Sequence, residues 1–566
     1  MNAALLALFS LGCFALAYRF YARFLSDRLY GLGGDEQTPA HTRRDGVDYV
    51  PSGWTILFGH HFTSIAGASP IVGPAIAVIW GWIPAILWVV LGTILAGGVH
   101  DLGSLAVSIR HDGSSLGNLT SSIIRSRART LLLLIVFFLM LLVLAVFGFI
   151  IATLFVSQPE TVIPINVQII VALVIGVLFY KYKVPILWPS IIGLLLLYAA
   201  IFLGIQYPVV IPPMWGLESM EIWLVLMMGY AFVASVLPVW VLLQPRDYIN
   251  ALILLTALGT LFIGLFVAHP TIVAPAVQLS PEGAPPFLPF LFITIACGAI
   301  SGFHSMVSSG TTSKQLNRYR DARKIGYGGM LAEGALAVLV ICAVSAGFPD
   351  TAAWNAHYAS WGAASGLSEK LGAFLQGGSL FLNAVGIPMK FGVPMLGVVI
   401  VAFAATTMDT TCRIQRYVIA ELGASYNIKI LSNRYVGSGL AAGTALLLAA
   451  MKGGGQGGLI LWPVFGGVNQ LVAGMALLVI SVWLYRQGKP VWYTMVPMIF
   501  MVIMTTWALL YTILQSINTG DMLIVFIGAC VLALELWLVL EAIAVFRKGP
   551  VPLPDTEPAS GAGKGT

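Results

Sequence analysis

Long apolar runs alternate with short polar connections along this chain. A helix needs about 20 predominantly apolar residues to cross a bilayer. On that rule the pattern predicts fifteen spans: 2–24, 53–80, 83–109, 131–156, 165–181, 185–206, 221–243, 250–269, 287–312, 326–348, 391–409, 435–451, 458–484, 491–516 and 522–546. The stretch 371–388 is Gly-rich and only moderately apolar, which fits an amphipathic or re-entrant piece. The chain opens straight into span one with no basic leader or cleavage pattern, so no removable signal peptide is expected. The last residues, 547–566, are rich in Pro, Gly and Ala, and a disordered cytoplasmic tail is expected there.

Two spans carry residues that a plain anchor would avoid. In span two, GHHFTSIAGASPIVGP (59–74) holds two adjacent histidines, two prolines and three glycines. Pro70 removes the hydrogen bond to the carbonyl of Ala66, Pro74 removes another, and Gly67 and Gly73 relax the backbone beside them. In span seven, ASVLPVWVLLQPRDY (234–248) places Pro238 where it frees the carbonyl of Ala234. Irregular backbone at membrane depth is tolerated only against protein or a water-filled cavity. The interval from span two to span seven is five, an odd number, so the second unit runs upside-down relative to the first. Residues 53–206 and 221–409 are therefore expected to form inverted repeats of a transport core, each opening with a broken helix. Residues 1–52 give an N-terminal helix and loop, and 410–546 give accessory helices. In such folds a solute sits near the midplane between the breaks.

Composition fixes the class: 58% of residues are hydrophobic and 9% charged, against about 25% charged in soluble domains. The fold class is an all-α polytopic membrane protein. The net charge of +6 does not point to nucleic acid. If the loop after span one faces the cytoplasm, 26 of the 29 Lys and Arg residues fall on that side. By the positive-inside rule this puts the N-terminus outside and the C-terminus in the cytoplasm of a bacterial-type inner membrane. The five cysteines are scattered without a CxxC pair and read as small packing residues.

The chain resembles the carbon starvation protein family. The resemblance is carried by FGHHFTSIAGASPIVGP (58–74), RHDGSSLG (110–117), ASVLPVWVLLQPRDY (234–248), PFLFITIACGAISGFHSMVSSGTTSK (289–314), DARKIGYGGMLAE (321–333) and LWPVFGGVNQLVAG (461–474). It implies a LeuT-type fold of 5+5 inverted repeats, akin to the amino-acid/polyamine/organocation superfamily. It also implies transport of peptides or, in some branches, proton-coupled transport of pyruvate. Two positions depart from the family pattern: Cys412 in TTMDTTCRIQRY (406–417), where threonine is expected, and His100, where glutamine is expected.

Several polar residues then become site candidates. His60, His61, Ser64, Gly67, Ser69 and Pro70 in span two, with Ser235 and Pro238 in span seven, are assigned to substrate. Neighbouring helical residues point about 100° apart, so His60 and His61 share one site only if the helix unwinds there. Asp101 in span three shares a face with Ser104 and Ser108 and suits a proton or a substrate ammonium. His304 and the hydroxyls of Ser308, Ser309, Thr311 and Thr312 end span nine and suit a coupling ion, Na+ or H+. In LeuT-type proteins the equivalent helix helps form such a site, so the resemblance implies it. Glu333 reads as a lone acid, Asp409 as an ion pair with Arg413, and Asn469 and Gln470 as bonds between helices.

The expectation is a secondary active transporter of small peptides, with no catalytic residues and no certain cofactor. A pyruvate/proton symporter is the alternative. From another class, a metal- or haem-binding redox protein remains open, using His60, His61, His100 or His304, although no recognised ligand spacing is present.

Overall fold

Glycine and proline set where many of the helices stop. The computed structural model describes residues 1–34, 36–124, 126–185, 187–451 and 462–547; the expected tail lies outside them, apart from its first residue. The described chain is all-helical, with only isolated bridges. Among the described residues, twelve helices are long and apolar enough to cross a membrane, and the bent pair Trp54–Ala66 and Ser69–Trp80 makes a thirteenth. The other two expected spans take altered forms. Residues 287–312 are interrupted, and Arg434–Ala450 is a helix of 17 residues. The 371–388 stretch falls largely in Leu367–Ala384, a helix packed against spans two, eight, ten and eleven.

Spans ten (Tyr319–Ala346), eleven (Met389–Ser425) and thirteen (Val464–Arg486) form the centre. Their most apolar windows are 94%, 89% and 100% buried, against 22% for span fourteen, Trp492–Thr519. The peripheral spans keep large apolar side chains on their outer faces, such as Leu5 and Phe9 in span one and Leu514 in span fourteen. Such faces suit lipid tails, while a helix apolar all round belongs inside.

Span two breaks where the sequence predicts. The first half ends at Ala66, Gly67 turns with φ +21°, and the second half starts at Ser69 with Pro70 in its first turn, bent by 43°. Proline lacks the N–H that a first turn leaves unpaired anyway, so it starts this half-helix without penalty.

Span seven differs from expectation. Its helix, Ser219–Val236, stops before Pro238, which lies in a non-helical connection ahead of Leu243–Ala268. The proline ring disfavours helical backbone at the preceding residue, and Leu237 is extended, with ψ 148°. Pro238 therefore ends span seven instead of breaking it. Pro245 then sits in the first turn of span eight, where the ring is tolerated. Arg246, expected in a loop, is consequently a buried helical residue.

The second interruption is in span nine. Phe287–Thr294 and Gly302–Val307 are separated by 295–301, where Gly298 has φ +92°. The freed backbone groups are paired by distant side chains. Trp88 Nε1 donates to the Ile295 carbonyl at 3.0 Å, Thr93 Oγ1 to the Gly298 carbonyl at 2.9 Å, and the Phe303 N–H to Asn469 Oδ1 at 2.9 Å.

Candidate functional site

The two interruptions lie against each other. A Cβ on Gly73 would sit 2.3 Å from the Thr294 carbonyl oxygen, and one on Gly298 would sit 3.6 Å from Cβ of Pro70. The broken helices touch at their irregular parts, backbone against backbone, with the half-helix that begins at Ser69 facing the one that ends at Thr294.

A line of buried ionisable groups runs beside this crossing. His100 Nδ1 is 2.7 Å from Asp101 Oδ1, and His304 Nδ1 is 3.0 Å from Asp101 Oδ2. The other ring nitrogen of His304 lies 3.2 Å from Glu333 Oε2. Glu333 Oε1 accepts the Gly298 N–H at 3.0 Å, which ties the acid to the break itself. Glu333, expected to stand alone, thus belongs to the same group as Asp101 and His304, and all are fully buried.

Farther along the first half of span two the histidines take separate partners. His60 Nδ1 is 2.5 Å from Asp247 Oδ2 on span eight, and its Nε2 is 3.1 Å from Thr311 Oγ1. His61 Nδ1 is 3.0 Å from Thr312 Oγ1, and its ring packs on Gly329 of span ten. The helix stays wound at both residues, so the two rings face different neighbours. Ser64 exchanges a 3.0 Å hydrogen bond with Thr410, and its carbonyl accepts from Thr407 at 2.9 Å. Gly67 packs on Phe147 and Thr407. Ser69 and Pro70 are buried at the start of the second half.

The hydroxyls that end span nine do not turn toward one point. Thr311 and Thr312 engage the two histidines. Ser309 donates to the Ser305 carbonyl at 2.7 Å and accepts from the Leu116 N–H at 3.2 Å, and Ser308 Oγ is buried without a partner. Ser235 and Pro238 are also not gathered here. Ser235 shares a 2.9 Å hydrogen bond with Ser438 on the helix Arg434–Ala450, and the residue after Pro238 donates its N–H to the Val47 carbonyl. Both were expected at a break inside span seven, and the structure places them at the end of that helix and just beyond it.

Asp409 is not paired with Arg413. It accepts from Arg246 and, at 2.9 Å, from the Tyr230 hydroxyl. Arg413 instead reaches Asp48 at 2.9 Å, in the segment before span two. Arg416 lies 3.5 Å from the same oxygen, and Tyr417 donates to it at 2.6 Å. Burial pushes the Asp48 carboxyl up, but Arg413, Arg416, Lys314 and Tyr417 together hold it below the usual carboxylate range. Asn469 bonds Ser301 and the Phe303 N–H of span nine, and Gln470 donates to the Phe292 carbonyl at 3.2 Å.

A cavity of about 430 Å³ borders the crossing on the side away from the basic connections. Ile293 and Thr294 of span nine and Ile76 of span two line it, along with Lys370 and Asp521. Burial lowers the Lys370 ammonium to about 8, partly opposed by Glu369.

Comparison with known proteins agrees with the sequence resemblance. The family model "Carbon starvation protein CstA" matches residues 2–356 and 348–508. The peptide transporter CstA of Helicobacter pylori is 33% identical over 552 residues, covering 86% of this chain and 78% of its own length. The pyruvate/proton symporter BtsT of Escherichia coli is 32% identical over 579 residues, covering 88% and 80%. Among solved structures, MhsT in complex with L-phenylalanine aligns over 88% of this chain and 98% of its own, with 12% identity and a TM-score of 0.48. A manganese transporter variant of Eremococcus coleocola aligns over 89% and 99%, with 13% identity and a TM-score of 0.48. The chain is a multi-pass membrane protein that belongs to the carbon starvation protein family.

Proposed function

We propose that this chain is a secondary active transporter that imports small peptides by alternating access, coupled to protons. The observation that carries the reading is the crossing of two interrupted helices, with Gly73 against Thr294 and Gly298 against Pro70. The half-helix that begins at Ser69 directs its N-terminal dipole at the crossing, which favours a carboxylate. The half-helix that ends at Thr294 directs its C-terminus there, which favours an ammonium group. The adjoining cavity carries one residue of each sign, Lys370 and Asp521, and its size falls within the range of about 300–1,000 Å³ for small-molecule sites. Both features suit a solute charged at its two ends. The relatives named as peptide transporters support the same choice.

Proton coupling is supported by buried imidazole–carboxylate pairs, His60 with Asp247 and His304 with Asp101. An intramembrane imidazole–carboxylate pair is neutral as a whole when it holds the shared proton, and such groups are the usual members of proton relays. Sodium at Ser308, Ser309, Thr311 and Thr312 is the alternative ion. Proton-coupled pyruvate import is the second reading, favoured by the Escherichia coli relative.

Proteoliposome uptake of labelled di- and tripeptides and of pyruvate, with and without a proton or sodium gradient, tests these readings. Peptide accumulation driven by the proton gradient is expected, and it should fall in Asp101→Asn and His61→Ala. Pyruvate accumulation alone would overturn the peptide assignment, and equal accumulation without any gradient would overturn active transport.

A further inference from the structure

We propose that Cys297, His304 and Glu333 form a binding site for one borderline-soft divalent metal ion of the Zn2+ class, built into the interruption of span nine. Their ligand atoms, a thiol sulfur, a ring nitrogen and a carboxylate oxygen, all lie within 4.8 Å of one another, and all three residues are buried. In a tetrahedral Zn2+ site with bonds of about 2.0–2.3 Å, donor atoms stand about 3.3–3.8 Å apart. The 3.2 Å between His304 Nε2 and Glu333 Oε2 is close to that, and the widest separation needs an adjustment of roughly 1 Å.

The unmatched atoms point to a cation. His304 Nε2 and Glu333 Oε2 are both buried without a hydrogen-bond partner, although they are 3.2 Å apart. The ring's N–H direction therefore does not bring a proton onto Oε2 in bonding geometry. His304 Nε2 and Glu333 Oε2 thus converge in a dry interior without a hydrogen bond between them, with the Cys297 sulfur within 4.8 Å of both. A cation held by these two atoms and the Cys297 sulfur, in place of any ring proton on Nε2, would satisfy both of the unmatched atoms.

The outer groups are those a metal site needs. The Nδ1–H of His304 donated to Asp101 Oδ2 at 3.0 Å fixes the ring and its tautomer, as carboxylate–histidine–metal arrangements do. The Gly298 N–H on Oε1 leaves the other oxygen of Glu333 free to ligate. Asn469 Nδ2, 3.8 Å from the Cys297 sulfur, can donate to a thiolate. Sulfur, imidazole and carboxylate together favour Zn2+ or Co2+ over Na+, Mg2+ or Ca2+. Three protein ligands leave a fourth position for water or solute.

The site goes beyond the transport reading, and its test requires no gradient. The full chain, purified in detergent and treated with chelator, is titrated with Zn2+ and with Co2+. One ion per chain is expected, with a thiolate-to-Co2+ absorption band. Cys297→Ser should abolish the band, and Cys412→Ser should leave it unchanged. Asp101→Asn, which alters the group that orients the His304 ring and is not itself a ligand, should weaken affinity about 10–100-fold at unchanged stoichiometry. Absence of stoichiometric binding by the wild-type chain, Co2+ binding without a thiolate band, or a band that survives in Cys297→Ser would each overturn the proposal. Should Cys297→Ser fail to stay monodisperse, Cys297→Ala replaces it, and a wild-type Co2+ spectrum without a thiolate band overturns the proposal on its own.

Discussion

Replacing Gly73 by alanine adds one methyl group where the two interrupted helices touch. The new carbon would lie 2.3 Å from the Thr294 carbonyl oxygen, and ordinary contact begins near 3.4 Å. The helices must therefore part by about 1 Å. A side chain could swing aside, but this contact is backbone, and the Thr294 carbonyl ends a half-helix whose position is fixed by the break that follows. Overpacking of this kind costs about 1–3 kcal/mol. If the strain exists only when the breaks are in contact, that conformation is depopulated by about 5–150-fold, and initial uptake falls while thermal stability holds. If both access states keep the contact, the melting temperature falls instead. Uptake into proteoliposomes and thermal unfolding in detergent, run in parallel on Gly73→Ala and on Gly12→Ala, separate the cases. Gly12 has open space around its missing methyl, so its variant should match wild type in both. Wild-type behaviour of Gly73→Ala in both assays would refute the close crossing on which the transport reading rests.

Three further outcomes follow from named contacts. Asp409→Asn or Arg246→Met alone leaves a buried charge unpaired beside Tyr230 and should cost about 3–5 kcal/mol, while the double variant should recover much of the loss; additive losses in a thermal-unfolding cycle would count against the pair. The Lys370 ammonium, brought down to about 8 by burial, is charged below that pH and neutral above it, so peptide uptake should decline as pH rises through 8, and Lys370→Met should remove that step; a step that persists in the variant would assign it to another group. Asp48 has a folded pKa below its ordinary value, so its contribution is complete above about pH 4 and is lost as pH falls through the lowered value; Asp48→Asn should therefore be less stable than wild type at neutral pH and converge with it in acid, and an equal gap at every pH would remove the charge from the argument.

The sequence made the membrane class and most of the spans readable, because a lipid-crossing helix is a local property of about 20 residues. The break in span two was equally local. Gly67 and Pro70 act on their own backbone, and no other part of the chain is needed to stop that helix at Ala66. Span seven misled because one residue type does two jobs. Pro238 inside an apolar run reads as a kink, but a second proline seven residues on, Pro245, begins the next helix. Two prolines at that spacing bracket a connection, and this signal was available before the structure.

The break in span nine was hidden for a different reason. No proline lies between 290 and 312, and Gly298 in ACGAISG reads as a close-packing glycine. What holds the backbone open there is supplied from elsewhere in the fold: Trp88 and Thr93 on span three, Glu333 on span ten and Asn469 on span thirteen. Three of these four are buried polar residues in separate apolar spans, and each looks like an isolated cost when read alone. A buried polar side chain in a membrane helix must find a partner, and an interrupted helix must find partners for its freed N–H and C=O groups. The two needs have the same solution. Solitary polar residues in several spans therefore announce an interruption in another, even when the interrupted helix carries no mark of its own.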